Sequence, residues 1–137
     1  MGKVKADVKG LKALQKRLEK AADAAGKDAF YEAAVKELAA RLLALVKKRT
    51  PVISGTLRRG WTVGELKKSE SGYEIEVIDP IEYASYVEFG HRTRGGKGWV
   101  PGRFMMTVSA SELEGMAPEI LQRKLNAYLK EVLDGGQ

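Results

Sequence analysis

The segment 28–51 reads DAFYEAAVKELAARLLALVKKRTP and does more than any other stretch to decide the fold. Its apolar residues recur every three to four positions from Phe30 to Val46, which predicts a helix with one apolar stripe. Asp28 is a suitable N-cap for this helix. Pro51 is expected to end it, because the residue before a proline avoids the helical region.

A shorter apolar stripe precedes this helix, between Gly10 and Gly26. Its spacing of three and four residues predicts another amphipathic helix, with the two glycines as its boundaries. Two helices with a short joint are expected to pack as a hairpin or against a common sheet. The stripe consists of Leu11, Leu14, Leu18, Ala21 and Ala25.

The apolar period changes to two between Thr56 and Val63, which predicts a strand. A second alternating stretch runs from Tyr73 to Val77, after a polar turn that ends at Gly72. Two alternating stretches joined by such turn residues predict an antiparallel hairpin.

The remaining segments predict a short helical turn, a loop and a final helix. The aromatic segment 82–90 is expected to form one helical turn closed by Gly90. Segment 91–103 mixes glycine and basic residues without a period, which predicts a long, flexible, basic loop. Pro118 is a good first-turn residue for a C-terminal helix, followed by a short tail at 134–137.

The order of these elements indicates the fold class. Helices and strands are grouped by type rather than alternating, which favours an α+β fold over a doubly wound sheet. The chain has 137 residues, and domains of about 100–150 residues are the commonest. We therefore expect one α+β domain spanning residues 1–137.

The charge is distributed in blocks rather than evenly. The net charge is +6, yet residues 41–68 carry eight Lys or Arg and one acid. Residues 69–90 carry six acids and no base, and residues 91–103 carry four bases and no acid. Separate positive and negative patches suit either a polyanion or a neighbour with the complementary patch.

The residues suited to catalysis are few. There is no cysteine, which excludes disulfides, thiolate zinc sites and a cysteine nucleophile. The single histidine, His91, has no evident partner, and no nucleophile elbow of the Gly-x-Ser-x-Gly type occurs. We expect no enzyme activity, cofactor or metal. We also expect no signal peptide and no membrane segment, because no apolar run approaches about 20 residues.

The predicted loop carries the most distinctive surface chemistry. Four bases surround Trp99, a pattern able to bind phosphates and stack a base, although no known nucleic-acid-binding signature is present. The other interpretation is that Trp99 anchors the loop on the core or on a partner chain. We expect a docking loop that becomes ordered on assembly, formed by Arg92, Arg94, Lys97, Trp99 and Arg103.

Two segments carry a resemblance to a known family. Segment 50–58, TPVISGTLR, and segment 82–90, EYASYVEFG, resemble the two signatures of a family of tailed-bacteriophage neck proteins. These proteins are also labelled tail-completion, minor tail or tail-component proteins. The short element Arg103-Phe104 resembles one that follows a variable loop in the family. The order and spacing agree from about residue 10 to residue 133.

The resemblance implies a structural protein of a phage or prophage virion. Such a subunit would join a ring of copies of itself at the head–tail junction and complete or connect the tail to the head. Its partners would be neighbouring head-completion and tail proteins, and it would be made and assembled in the host cytoplasm. The basic loop could instead face the lumen through which DNA passes. A small nucleic-acid-binding module and the tail-terminator layer are the alternatives.

The motif residues are expected to maintain the fold rather than to make contacts. Proline and glycine in the motifs should shape turns, and the apolar motif residues should fill the core. The motif residues are Pro51, Gly55, Leu57, Arg58, Tyr83, Tyr86, Val87, Glu88, Phe89 and Gly90.

Overall fold

The computed structural model describes residues 24–52, 55–70 and 72–135. In the described residues, two long helices enclose a series of short elements. The elements are α1 (Ala24–Arg49), α2 (Thr56–Gly60), β1 (Thr62–Val63), β2 (Lys67–Ser69), β3 (Gly72–Glu74), β4 (Val77–Ile78), α3 (Ala84–Phe89), β5 (Gly90–Arg92), β6 (Trp99–Pro101) and α4 (Met105–Gly135).

Helices α1 and α4 pack antiparallel along much of their lengths. Arg49, at the end of α1, donates to the Ser109 hydroxyl near the start of α4 at 3.1 Å. At the other end, the rings of Phe30 and Tyr128 lie 5.4 Å apart. Between them, Lys124 and Glu37 form an ion pair at 3.1 Å. The end of α1 therefore contacts the start of α4, and the start of α1 contacts the later part of α4, as expected for an antiparallel pair.

The strands within the described ranges form three separate antiparallel pairs. β1 pairs with β4, and β2 pairs with β3, so these four strands make one long hairpin. Three residues, 64–66, face two residues, 75–76, between the two ladders. This extra residue is a bulge, which bends the hairpin locally. The third pair, β5 with β6, is a separate ribbon.

The core lies between the helix pair and the long hairpin. The α1 stripe predicted from the sequence is buried, with Leu38 fully inaccessible. Met105 and Leu125 contribute from α4, and Trp61 and Val77 from the hairpin region. Burial of such a side chain stabilises the fold by about 1.5–3 kcal/mol.

The α+β class, the long helix, the hairpin and the C-terminal helix are confirmed. One strand assignment is wrong, because Thr56–Gly60 forms a single helical turn and the strand begins only at Thr62. Leu57 and Trp61 lie four residues apart, which suits one helical turn as well as it suits alternation.

Two helix starts also differ from the prediction. α1 already includes Ala24, so Asp28 lies inside the helix and is not its N-cap. α4 begins at Met105, and Pro118 lies within it rather than at its first turn. Pro118 is exposed, and on that face water can satisfy the carbonyl that loses its intrahelical bond. The predicted helix between Gly10 and Gly26 lies almost entirely outside the described residues.

Candidate functional site

The first motif, 50–58, is organised around a buried threonine just after α1. The Thr50 hydroxyl donates to the Val46 carbonyl at 2.5 Å and accepts the Trp61 indole N–H at 2.7 Å. The Thr50 carbonyl accepts a hydrogen bond from Arg58 at 3.2 Å. One residue therefore joins the end of α1 to α2 and to the start of the hairpin.

Three other described residues of this motif lie in the turn or in the core. Gly55 has a φ of 78°, in the left-handed region that favours glycine, and α2 follows directly. Leu57 is buried in the core. Pro51 lies just after α1, where it cannot continue the helix.

The second motif, 82–90, holds the start of α4 through Glu88. This side chain is completely buried. Its carboxylate accepts the backbone N–H groups of Met106 and Thr107 at 2.7 and 2.9 Å, and the Thr107 hydroxyl at 2.6 Å. The first N–H groups of a helix have no partner within the helix, and its N-terminus favours negative charge. Glu88 thus caps α4 from a different helix.

The residue before α4 explains why a side chain of α3 caps the N-terminus of this helix. Phe104 has a φ of 50°, which is unusual for a residue with a large side chain, and it has no polar atom with which to cap the helix. Its backbone N–H donates to the Glu88 carbonyl at 3.0 Å, and the Arg103 N–H donates to the Val87 carbonyl at 2.7 Å. The chain is held to α3 by backbone bonds while Glu88 supplies the cap.

Two glycines let the β5–β6 ribbon cross α3 closely. Gly90 has a φ of 87°, and a Cβ placed there would lie 2.5 Å from the Val100 carbonyl oxygen. A Cβ on Gly102 would collide with the backbone of Glu88 and Phe89. The backbone of the ribbon therefore approaches α3 more closely at these two positions than a side chain would allow. Gly90 closes the helical turn of α3, as its position in the sequence predicts, whereas no local sequence pattern marks Gly102.

The prediction that the aromatic motif residues fill the core is wrong for three of them. Tyr83, Tyr86 and Phe89 are 41%, 59% and 56% exposed. A six-residue helix must turn one face to the domain, and Ala84 and Glu88 occupy that face. The aromatic residues are therefore directed outward, and they form an exposed aromatic face.

This aromatic face borders a groove that unites the two motifs. The groove has a volume of about 200 Å³ and is mostly apolar. One wall is the turn of the first motif, with Pro51 and Leu57, and another is the root of the ribbon. Among the described residues that line it there is no carboxylate, and Arg103 is the cation. The groove also contains His91, whose ring lies 5.8 Å from that of Tyr86.

The predicted docking loop is a short β-ribbon instead of an irregular loop. His91 stands opposite Val100, and Arg92 opposite Trp99, with a turn over 93–98. We call residues 90–101 the arm. All residues from 91 to 101 are exposed, and Trp99 is 59% exposed, so it does not anchor the arm on the core of its own chain. The mobility of the arm stays a prediction.

The structure brings the predicted interaction residues together on one projection. Arg92, Trp99 and the turn bearing Arg94 and Lys97 lie on the arm, and Arg103 lies at its root. Among the residues that the structure describes, the ion pairs include none of these four bases. The arm is thus a positive surface with an aromatic ring on it.

Two carboxylates outside the arm have pKa values shifted in opposite directions. Burial raises the pKa of Asp79, and the Ile81 backbone N–H, which donates to it at 3.0 Å, partly offsets that effect. Asp28 behaves in the opposite way. Hydrogen bonds from Lys68 and Tyr73 lower the pKa of Asp28, on the exposed side of α1. Neither carboxylate lies in the groove or on the arm.

Within the described ranges, no three His, Cys, Asp or Glu residues are grouped so as to hold a metal ion. No helix in those same ranges combines the length and apolar character that a membrane crossing requires. The chemistry that the site offers is that of a binding surface: apolar and aromatic contacts beside positive charge.

Comparison with known proteins agrees with a surface that binds other molecules. No curated protein and no solved structure gives a match. A family model described as "Bacteriophage HK97-gp10, putative tail-component" matches residues 12–90, which include both motifs. The match covers more than half of the chain, from the first predicted helix to the start of the arm. The chain therefore belongs to the HK97-gp10-like family of bacteriophage tail components, which are structural proteins of the virion.

Proposed function

We propose that this protein is a subunit of the head–tail junction that forms a ring with copies of itself and joins the tail to the head. The observation that carries the proposal is the exposed aromatic face of α3 beside the groove. Membership of a tail-component family supports a structural role in the virion.

The size of the aromatic face argues for a partner. Tyr83, Tyr86 and Phe89 are 41%, 59% and 56% exposed. Aromatic side chains bury about 150–250 Å² each when fully covered, so these three leave on the order of 300 Å² accessible. The largest apolar patch of a protein that works alone is about 300–600 Å² and is often functional. Such a surface is expected to be covered in the assembled particle.

A ring imposes a further requirement. Each subunit in a ring needs two different surfaces that fit each other head to tail. The aromatic face of α3 and the exposed side of α4 differ in composition, which supports their use as two such surfaces.

Electron microscopy of particles made without this gene tests the proposal. DNA-filled heads that accumulate apart from finished tails are the expected result. Tails of uncontrolled length would assign the protein to the tail-terminator layer instead. Intact and infectious particles would exclude both roles.

Complementation with point variants links the role to the aromatic face. A variant with both Tyr86→Gln and Phe89→Gln is expected to fold and to fail to restore joined particles. Glu131→Gln, an exposed change remote from the groove on α4, is the matched control and should restore them. Full complementation by the aromatic double variant would show that this face is not used.

A second candidate function is nucleic-acid binding, favoured by the positive arm with its exposed Trp99. Binding to nonspecific DNA at physiological salt would need a dissociation constant in the micromolar range or below and a steep decrease in affinity with salt. Fluorescence anisotropy with a labelled duplex measures both. Affinity that is weaker than this and insensitive to salt would exclude the arm as a DNA-binding element.

A further inference from the structure

The groove beside the aromatic face combines an apolar lining with positive charge. Its apolar lining includes Leu57, Val87 and Pro101. Arg103 is the cation among the described residues that line it, and no carboxylate is among them. A site of this kind favours a ligand that offers an apolar group and a negative charge close together.

The size of the groove suits one large side chain. Its volume is about 200 Å³. An apolar cavity of about 150 Å³ accommodates a benzene ring, so the groove has room for one aromatic or branched aliphatic side chain. Duplex DNA presents phosphate and sugar on its outside and would have to extrude a base to fill such a space. The volume therefore favours a protein side chain over duplex DNA.

The positive charge continues from Arg103 along the arm, which carries Arg92, Arg94 and Lys97. None of these four bases forms an ion pair with another described residue. Neighbouring cations repel one another, and carboxylates of a partner would relieve that repulsion. His91, which also lines the groove, can donate a hydrogen bond to a carboxylate. The charges therefore favour an acidic partner.

The arm also offers open strand edges. Its sheet has two strands in the described part of the chain, so each strand has one edge without a strand partner. Residues 91–101 are exposed, which leaves these edges accessible. In an antiparallel pair, alternate residues direct their N–H and C=O groups away from the partner strand. An extended segment can bind such an edge through main-chain hydrogen bonds while a side chain enters a nearby pocket.

The described part of this chain does not itself offer a suitable segment. Among its exposed large apolar side chains, Tyr83 is the one that lies next to an exposed acid, Glu82. Tyr83 already lines the groove of its own chain. Met116 lies two residues from Glu114, but both belong to α4 and are therefore helical. We accordingly expect the occupant to be a different protein.

We propose that the groove and the arm bind an extended, acidic segment of another protein of the particle. One large apolar side chain of that segment fills the groove. The carboxylate nearest to this side chain pairs with Arg103, because this base lines the groove. Acids further along the segment meet the bases of the arm. This inference rests on the proposed function and names the chemistry of the partner.

Selection of short random peptides on the immobilised full chain reads this chemistry directly. The recovered sequences are expected to combine a large apolar residue with Asp or Glu beside it. Selection on the Arg103→Glu variant should no longer favour an acid next to the apolar residue, because that variant carries a negative charge at the groove. Recovery of sequences without enrichment in acids, or enriched in Lys and Arg, would overturn the proposal.

The affinity of a recovered peptide separates the groove from a general attraction to a basic protein. Arg103→Gln should weaken binding about tenfold, as for the loss of one charge-assisted hydrogen bond. Lys130→Gln also removes one positive charge, at an exposed position far along α4, and should change the affinity by less than about twofold. Fluorescence anisotropy measures both values, and circular dichroism confirms that both variants fold. Equal weakening in the two variants would contradict a contact at the groove.

Photo-crosslinking in assembled particles identifies the occupant. A photoreactive phenylalanine derivative replaces Tyr86 or, in a second variant, Val100, both of which line the groove, and Lys130 is the control position. The expected product joins the groove to a segment of another virion protein in which an acid lies beside a large apolar residue. A crosslink to DNA, to a second copy of this chain or to a segment without acids would overturn the proposal, as would assembled particles without a crosslink. Particles that lack the gene would still show the head–tail defect in those cases, so failure of this contact and failure of the proposed function are distinguishable.

Discussion

The two family motifs use their residues in opposite ways. In segment 50–58, the buried Thr50 uses its hydroxyl and carbonyl to connect α1, α2 and the hairpin. Segment 82–90 buries one carboxylate, Glu88, and exposes its aromatic rings. A short signature therefore does not reveal which of its members maintain the fold and which form a surface.

The difference follows from the length and surroundings of the two segments. In the first motif, Thr50 is buried between the end of α1 and the core, so its polar groups need partners within the protein. The second is one short helix on the outside, held by Ala84 and Glu88 on its inner face. Its apolar side chains are available for contacts with other molecules, and single substitutions can separate the two roles.

The largest effect is expected at Glu88. Glu88→Ala leaves the buried N–H of Met106 and the donors of Thr107 without their acceptor, and it removes the charge at the start of α4. The free energy of unfolding should fall by about 3 kcal/mol, as for the combined loss of a cap and a buried hydrogen-bond acceptor. Urea denaturation measures the change. Glu82→Ala, exposed in the same motif, is the control, and equal stability of the two variants would contradict the capping role.

A smaller loss is expected at the centre of the first motif. Thr50→Val keeps the shape of the side chain and leaves the buried Trp61 N–H without an acceptor, which should cost about 2 kcal/mol. Thr62→Val, on the exposed side of β1, should change the stability by less than about 0.5 kcal/mol. In a variant that also carries Trp61→Phe, the effect of Thr50→Val should shrink. Additive losses would show that the two side chains do not act through this bond.

The pH dependence of the free energy of unfolding should distinguish the buried Asp79 from the exposed Asp28. The pKa of Asp79 is raised in the folded state, so between the unfolded and folded pKa values the folded protein binds more protons. Stability from this group therefore falls as the pH rises through that window. The Asp79→Asn variant should be as stable as the wild type near pH 4 and more stable than the wild type at pH 7. Denaturation at several pH values measures the difference, and a difference independent of pH would contradict it.

Asp28→Asn should show the reverse trend. The pKa of Asp28 is lowered by hydrogen bonds from Lys68 and Tyr73, so its stabilising effect is present above the unfolded pKa and is lost as the pH falls through the folded one. The variant should be less stable than the wild type at neutral pH and should equal it in strong acid. A loss of stability that is the same at every pH would show that the charge is not the cause.

The smallest effect on stability, with the clearest effect on assembly, is expected at the aromatic face. Tyr86→Gln with Phe89→Gln should alter the free energy of unfolding by less than about 0.5 kcal/mol, because these side chains are mostly exposed. Urea denaturation measures this, and sedimentation with tail or head proteins measures binding. A large loss of stability would show that these two rings contribute to the stability of the fold.

Much of the scaffold could be predicted from the sequence. The apolar stripe from Phe30 to Val46 is buried as expected, since periodic apolar residues need a common partner surface. The turns at Gly55 and Gly90 were also predictable, because few other residues adopt positive φ values. The predicted interaction residues around Trp99 do lie together on one arm.

Other features could not be predicted because they depend on distant residues. The arm separates Glu88 in sequence from the start of α4, which it caps in the folded protein. The residues next to Glu88 therefore give no indication of its capping role. Thr50 and Trp61 meet through the turn between them, and Gly102 matters only because α3 passes against it. A sequence pattern records local periodicity, whereas these contacts depend on the tertiary arrangement.

The sequence by itself determined the α+β class, the long helix, the hairpin and the basic segment with its tryptophan, because each depends on local spacing or composition. Only the tertiary structure decided that the aromatic rings of the second motif are exposed and that its carboxylate is buried. The physical reason is that a short helix can turn either face to the domain, and the unsatisfied N–H groups of α4 favour the face that carries Glu88.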